Sequence, residues 1–384
     1  MATVLIGADL CPIGANREYF EQGNAEALFG DLLPEITAAD LMTANLECPL
    51  IRKPSPIRKT GPVFGANPKC IEAVRAAGIR VLCLANNHIL DHGADGLRST
   101  LEACHQAGIA TVGAGRNARA ASQPLVMDLK GLKVALLAFA EHEFSIAGPS
   151  SPGASPLDWI TLVRIVREQA AGWDHWIVLY HGAVEFQPVT PRVQRLCRFL
   201  MDLGATAVVV QHPHTLGGWE RYRHGYIVYG QGALVMDEPI YRDNAGFHEG
   251  FLVKLHLQSQ RQVDMECVPF CQSKPPPGVR LLGPVEAASW QERMQLRSIQ
   301  VSDPSFVESE WLRFCAAIRH NALSTVLGHG RFLSWLNRKG WVERFLVGEK
   351  RMRGMRNMVV CETHREVLET VFRHWWYPPE GGEA

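Results

Sequence analysis

The stretch Gly204-Ala205-Thr206-Ala207-Val208-Val209-Val210-Gln211-His212-Pro213-His214 decides how this chain is read. Ala205 to Val210 has the length and apolar character of a buried strand. The two histidines fall where that strand ends. At about 3.3 Å per strand residue, positions two apart lie about 6.6 Å apart and face the same side. Pro213 cannot donate to a sheet ladder, so pairing stops there and the turn is stiff. Two imidazoles held this way can serve one metal ion or two adjacent ones. Taken alone, the motif is also compatible with a surface turn that contains histidine.

Composition narrows the classes around it. The chain has 384 residues and is 47% hydrophobic, enough for one large domain with a smaller one and against disorder. Lys+Arg and Asp+Glu balance at 39 each, so no global field favours nucleic acid or an anionic membrane. The start, MATVLIGADL, has no basic leader or long apolar segment, and no later window is long enough for a transmembrane anchor. A cytoplasmic protein is expected. The ten cysteines contain no CxxC and read as reduced, buried thiols.

Outward from the histidine turn, strands and helices alternate. Short β-prone runs at Thr3 to Ile6, Leu41 to Leu46, Arg80 to Ala85 and Ala110 to Val112 are separated by helical stretches at Ala25 to Leu33, Pro68 to Ala77 and Gly93 to Ala107. That order argues for βαβ units and mainly parallel pairing. Lys130-Gly131 between two apolar runs signals a hairpin, and Trp176 to Tyr180 is a further strand. Tyr226 to Tyr229, Phe251 to Leu257 and Val263 to Pro269 read as antiparallel strands. We divide the chain into a catalytic domain over 1–272, a Pro-rich linker over 273–300 and a helical C-terminal region over 301–384, serving as a cap, a lid or a homo-oligomer contact.

Five strands end in polar groups: Asp9, Asn45-Leu46-Glu47, Asn86-Asn87-His88, His181, and His212 with His214. Ligands gather at the carboxyl ends of strands in open α/β sheets. One Asp or Asn after a strand is an ordinary turn residue. Five such ends, mixing carboxylate, amide and imidazole, form the donor set of an N/O metal site.

Here the blocks GADLCPIG, ANLECPL, LANNHILDHGADGL, VGAG, YHGAVEF and GATAVVVQHPHTLGGWE resemble the CapA (poly-γ-glutamate capsule biosynthesis) family over roughly residues 1 to 270. The resemblance implies an α/β fold of the calcineurin-like type: a four-layer α/β/β/α metallophosphoesterase-like sandwich, here with a C-terminal helical extension. It implies one or two divalent ions, with Mn, Zn, Fe, Ca and Mg not distinguished. Asp9 and His214 would hold the first metal. Asn87, His181 and His212 would hold the second, and Glu47 would bridge the two. His88 would face substrate. Cys11 stands where the phosphatase pattern places a histidine, so the first metal loses a ligand unless the thiolate substitutes.

Further residues carry lesser roles. Asp91 either orients His88 or caps the helix that follows it. Arg58 and Lys59, in a Pro-rich loop, can bind a substrate anion or face solvent. The expected substrate is a peptide or polyanionic small molecule. The leading function is metal-assisted chemistry on a γ-glutamyl, peptide or phosphate-ester group, with His88 as general acid. A second reading is a metal-dependent peptide epimerase, exchanging a Cα proton between groups drawn from His88, Asp9, Asp91 and Glu185. A third is a non-catalytic component of capsule polymer synthesis.

Overall fold

The computed structural model describes residues 1–59, 61–187, 189–272, 277–327 and 331–341, with isolated positions beyond them. The described strands are β1 (Ala2–Leu10), β2 (Leu41–Leu46), β3 (Val81–Cys83), β4 (Ala110–Val112), β5 (Ala114–Gly115), β6 (Leu125–Leu129), β7 (Leu132–Ala140), β8 (Gly153–Ala154), β9 (His175–His181), β10 (Ala207–Gln211), β11 (Trp219–Tyr222), β12 (Gly225–Val228), β13 (Ala233–Val235), β14 (Glu249–Leu257), β15 (Val263–Gln272) and β16 (Val279–Leu281). One sheet runs in the order β16-β15-β14-β1-β2-β3-β4, with β13 also paired to β1. The second runs β11-β12-β10-β9-β7-β6. The β1–β2–β3–β4 and β7–β9–β10–β12 ladders are parallel, while β14 and β15 are antiparallel.

Strand alternation builds the layers. In β9, Ile177 and Leu179 join the core shared with β1 and β14, whereas Trp176, Val178 and Tyr180 pack with Leu162, Val193, Leu196 and Leu200 of two outer helices. Those helices are Trp159–Gln169 and Pro191–Asp202. In β10, Ala207 and Val209 take the first side and Val208 and Val210 the second. Every β10 residue is buried, as a strand covered on both faces requires. Short helices carrying Phe20, Phe29, Ile36 and Val74, and the helix Gly93–Gln106, pack on the other sheet. The resulting four-layer α/β/β/α order is the expected one. The Lys130-Gly131 hairpin joins β6 to β7 with both residues at positive φ.

Three features differ from the sequence reading. The segment 273–300 is not an open linker where described: β16 pairs with β15, and the helix Pro284–Ser302 stacks Trp290 on Trp219, with ring centroids 6.3 Å apart. Trp290 and Met294 are buried, so apolar burial fixes this helix. Residues 273–276, which hold most of the proline run, lie outside the described residues. Second, β12 pairs parallel to β10 and antiparallel to β11, because Arg223 at positive φ turns the chain between β11 and β12. Third, Asp9 and Asn45 lie inside their strands rather than after them.

The chain divides into two compact units, Met1–Trp311 and Leu312–Ala384. Within the second, helix continues to Leu327 and a further helix spans Arg331–Asn337. The part of the expected helical region from 360 to 384 lies outside the described residues. No described helix is long and apolar enough to cross a membrane.

Candidate metal centre

The site sits where both sheets present their parallel strand ends. A register shift in the β1–β2 ladder between Ile6 and Asp9 re-aims the end of β1, as bulges do beside functional sites. Asp9 then lies opposite Asn45, and Asn45 opposite Cys83. On the facing sheet, Ala140 and His181 pair across β7 and β9, and His181 with Gln211 across β9 and β10. Six distant segments therefore meet at one edge.

Glu47 is the centre of the cluster. Its Oε1 lies 3.4 Å from His181 Nε2, 3.9 Å from His212 Nδ1 and 3.7 Å from His214 Nε2. His214 Nδ1 is 3.4 Å from Asp9 Oδ2. Asn87 Oδ1 lies 3.1 Å from His181 Nε2. Three groups of donor atoms come together within 4.8 Å: Glu47, His181 and His212; Asp9, Glu47 and His214; and Glu185, His212 and His214. Glu47 belongs to the first two, so the arrangement is two overlapping donor sets with one shared carboxylate.

Electrostatics fit a cation. Asp9 and Glu47 are fully buried. Burial raises the Asp9 carboxyl to about 6 against the lowering effect of the Asn45 hydrogen bond. Burial, then the Asp9 and Glu185 charges, pushes Glu47 well above its ordinary value. Burial, then His212, drives His181 and His214 well below the usual histidine range. Both Glu47 oxygens and the Nδ1 atoms of His212 and His214 are buried with no hydrogen-bond partner among the described residues. Buried acceptors without partners are costly, and a divalent ion with N/O preference satisfies all four. The donor set thus fits a divalent metal.

Around the donors, a polar lattice fixes orientation. Asn86 Nδ2 donates to Asn45 Oδ1 at 3.0 Å, and Asn45 Nδ2 donates to Asp9 Oδ1 at 2.7 Å. Ser145 Oγ donates to the Asn87 carbonyl at 2.8 Å. Tyr241 donates to Glu185 Oε2 at 2.9 Å, while its ring lies 5.6 Å from that of His214. Ser145 and Tyr241 carried no local signal in the sequence, and Asn86 stood there only within the polar strand end Asn86-Asn87-His88. Their partners are distant, apart from the Asn86 oxygen that accepts from the His88 N–H at 3.1 Å.

His88 stands beside the cluster. Its Nδ1 lies 2.7 Å from Asp91 Oδ2, and Phe64 lies over the ring with centroids 4.4 Å apart. The alternative of Asp91 as helix cap is not what the structure has: the cap of Gly93–Gln106 is His92, without a side-chain cap bond. The Lys59 ammonium pairs with Asp91 and lies 3.0 Å from His88 Nδ1. The Lys59 side chain is 2% exposed, so its charge compensates a buried carboxylate rather than facing an open substrate site, whereas Arg58 is exposed. Burial holds His88 below its ordinary value.

Cys11 does not join a donor group. Its thiol lies 3.8 Å from the Glu47 carbonyl, and burial followed by Cys48 pushes it well above the usual thiol range. Glu141, at the rim, is held by Tyr180, Arg192 and the Ala183 N–H. A small open cleft lies among Asn87, Glu141, Glu143, His181 and His212. Gly182 is required at its floor, since a Cβ there would meet Glu141 Cγ at 2.5 Å.

A buried carboxylate–histidine cluster with overlapping donor groups, at the strand ends of an α/β/β/α sandwich, makes this a candidate metal centre. The family description "Bacterial capsule synthesis protein PGA_cap" matches residues 4–238, more than half of the chain, and the chain belongs to that family. It is 27% identical over 263 residues to the capsule biosynthesis protein CapA of Bacillus anthracis, covering 66% of this chain and 63% of that protein. It is 26% identical over 254 residues to the PGA biosynthesis protein CapA of Bacillus subtilis (strain 168), covering 65% of this chain and 66% of that one. The match thus spans less than two thirds of either relative. Among solved structures, a hypothetical protein from Thermus thermophilus aligns with a TM-score of 0.46 and 12% identity over 71% of this chain and all of that one. A putative 5'-nucleotidase from Staphylococcus aureus aligns with 0.42 and 11%, over 76% of this chain and 58% of that one.

Proposed function

We propose that this chain is a metal-dependent hydrolase acting on an acyl or phosphoryl group of a peptide or polyanionic substrate in capsule-polymer metabolism. The observation that carries this reading is the buried Glu47 carboxylate, both oxygens without a hydrogen-bond partner among the described residues, facing three imidazoles. Asp9, Glu47 and His214 would hold one ion, and Glu47, His181, His212 and Asn87 the other. Bound there, a divalent ion supplies Lewis acidity toward the target oxygen and the attacking water.

The chain's own residues do the rest. Asp91 accepts from His88 Nδ1, which leaves Nε2 as the atom that exchanges a proton with the reacting group. Burial favours the neutral ring, so Nε2 accepts a proton first and returns it to the leaving group. Lys59 balances the Asp91 charge beneath it.

The test is elemental analysis of purified protein, followed by incubation of the metal-loaded protein in D₂O with γ-linked oligoglutamate and with a phosphate ester. New chain termini or free phosphate, lost in Glu47→Gln, support the reading. A gain of one deuterium at Cα, with no new chain termini and no free phosphate, would replace hydrolysis by epimerisation. A metal-free protein whose His212→Ala variant still supports capsule synthesis would leave no enzyme at all.

A further inference from the structure

A larger cleft opens beside the histidine turn. Phe186, Thr215, Leu216, Arg297, Gln300 and Phe306 are among the residues that line it. Two of its walls continue directly from the metal cluster. Thr215 follows His214, and Phe186 follows Glu185, with the Phe186 ring 5.9 Å from that of His214. The third wall is the helix Pro284–Ser302, which begins 46 positions after the stretch matched by the family (284 against 238).

That helix is a fixed wall rather than a loose flap. Gln194 Nε2 donates to the Val301 carbonyl and Arg198 Nη2 to the Ser302 carbonyl, both at 2.7 Å. The Trp219 N–H donates to Ser298 Oγ at 3.1 Å. Gly218 sits so close that an added Cβ would lie 3.2 Å from both Arg297 Cγ and Val301 Cγ2.

The cleft's chemistry is uneven. Phe186, Leu216 and Phe306 are apolar, Thr215 and Gln300 offer neutral polar groups, and Arg297 supplies a cation. Arg297 Nη1 donates to the Leu216 carbonyl, a neutral partner. The neighbouring Glu249 carboxylate is taken by Arg293, at 3.1 Å. Among the described residues Arg297 makes no ion pair, and one bond leaves most of its five N–H donors for a ligand. Glu310, also in the lining, is engaged in an interaction of its own.

We propose that this cleft is a substrate subsite in which Arg297 holds an anionic group, carboxylate or phosphate, that flanks the bond handled at Glu47. The subsite rests on the metal-centre reading for its purpose, and it makes the helix Pro284–Ser302 the element that selects anionic chains. A guanidinium fork grips planar carboxylate and phosphate alike, so the two sources are separated by probe.

The experiment measures Kd by calorimetry on the full metal-loaded chain for a γ-linked glutamate hexamer and for a tri-phosphoserine peptide. Arg297→Gln is expected to raise Kd about tenfold or more for at least one probe, with metal content unchanged. The probe affected more names the anion. Arg297→Lys, which keeps the charge but not the fork, should fall between the two and serves if the glutamine variant does not fold. Arg293→Gln, on the same helix but paired with Glu249, should leave both Kd values alone. Equal Kd values for wild type and Arg297→Gln, or no binding of either probe, overturn the subsite. A chain that takes up no metal yet loses probe affinity on Arg297→Gln overturns the metal centre and leaves the subsite standing.

Discussion

The His212 backbone N–H donates to Asp9 Oδ2 at 3.0 Å, although the two residues are 203 positions apart and belong to different sheets. That bond pins the histidine turn to the end of β1. The turn is also strained: His212 sits at φ 96° and His214 at φ 51°, with Ala183 and Phe186 at positive φ in the adjacent loop. Non-glycine residues in such conformations cost about 1–3 kcal/mol each and persist where surrounding structure over-determines them.

His212→Gly is therefore expected to stabilise the chelator-treated protein by about 1 kcal/mol relative to His212→Ala, because glycine relieves the positive φ. Urea unfolding of both variants in chelator measures it. Equal midpoints for the two would remove strain from the account of this turn.

Glu47 belongs to two donor sets, whereas His181 belongs to one. Glu47→Gln should abolish metal uptake, and His181→Ala should leave about half of the wild-type content. The set with His181 also has Asn87 beside it, so metal titration of the wild type should show two unequal steps, the tighter one missing in His181→Ala. Elemental analysis and calorimetry check this, and retention of full metal by Glu47→Gln counts against a shared carboxylate.

Proton competition sets the pH dependence. Burial raises Asp9 to about 6, so the metal-free folded protein holds that proton below this pH. The stability this carboxyl lends to the metal-free protein is full below its unfolded value of about 3.9 and is lost as pH rises through 6. Metal binds the ionised form, so its apparent affinity should fall up to about tenfold per pH unit, for each proton displaced, as pH drops below 6. The rise in melting temperature caused by metal should accordingly be larger at pH 8 than at pH 5.5. A rise independent of pH would contradict the role given to Asp9.

Lys59 and Asp91 form a buried ion pair, with side-chain exposures of 2% and 0%. Removing one partner strands the other charge. Lys59→Met should destabilise the protein by about 3–5 kcal/mol, and Lys59→Met with Asp91→Asn should recover much of that loss. Chemical denaturation of the single and double variants decides it. A double variant no better than the single would mean that the Lys59 stem, and not its charge, supports the loop.

Much of this was legible in the chain alone. Alternating apolar runs and helical stretches gave βαβ units and mainly parallel pairing, because strand and helix periods are local properties of sequence, and the family resemblance implied the four layers. The ends of those runs carried Glu47, Asn87, His181, His212 and His214, which the structure brings together. Lys59 illustrates the opposite case. From sequence it was a cation in a Pro-rich loop, free to meet substrate or solvent. Only the fold places Asp91 beside it, and a buried carboxylate captures the nearest cation.

The sequence by itself determined the alternating strands and helices and the donor residues, since these follow from periodicity and from polar residues at strand ends, and its family resemblance implied the four-layer sandwich. The tertiary structure decided which donors share Glu47, that Cys11 stands apart from them, and that a helix beyond the family-matched region walls a second cleft beside His214. These depend on bonds between residues far apart in the chain, such as Asp9 to His212 and Arg297 to Leu216, whose partners no local pattern encodes.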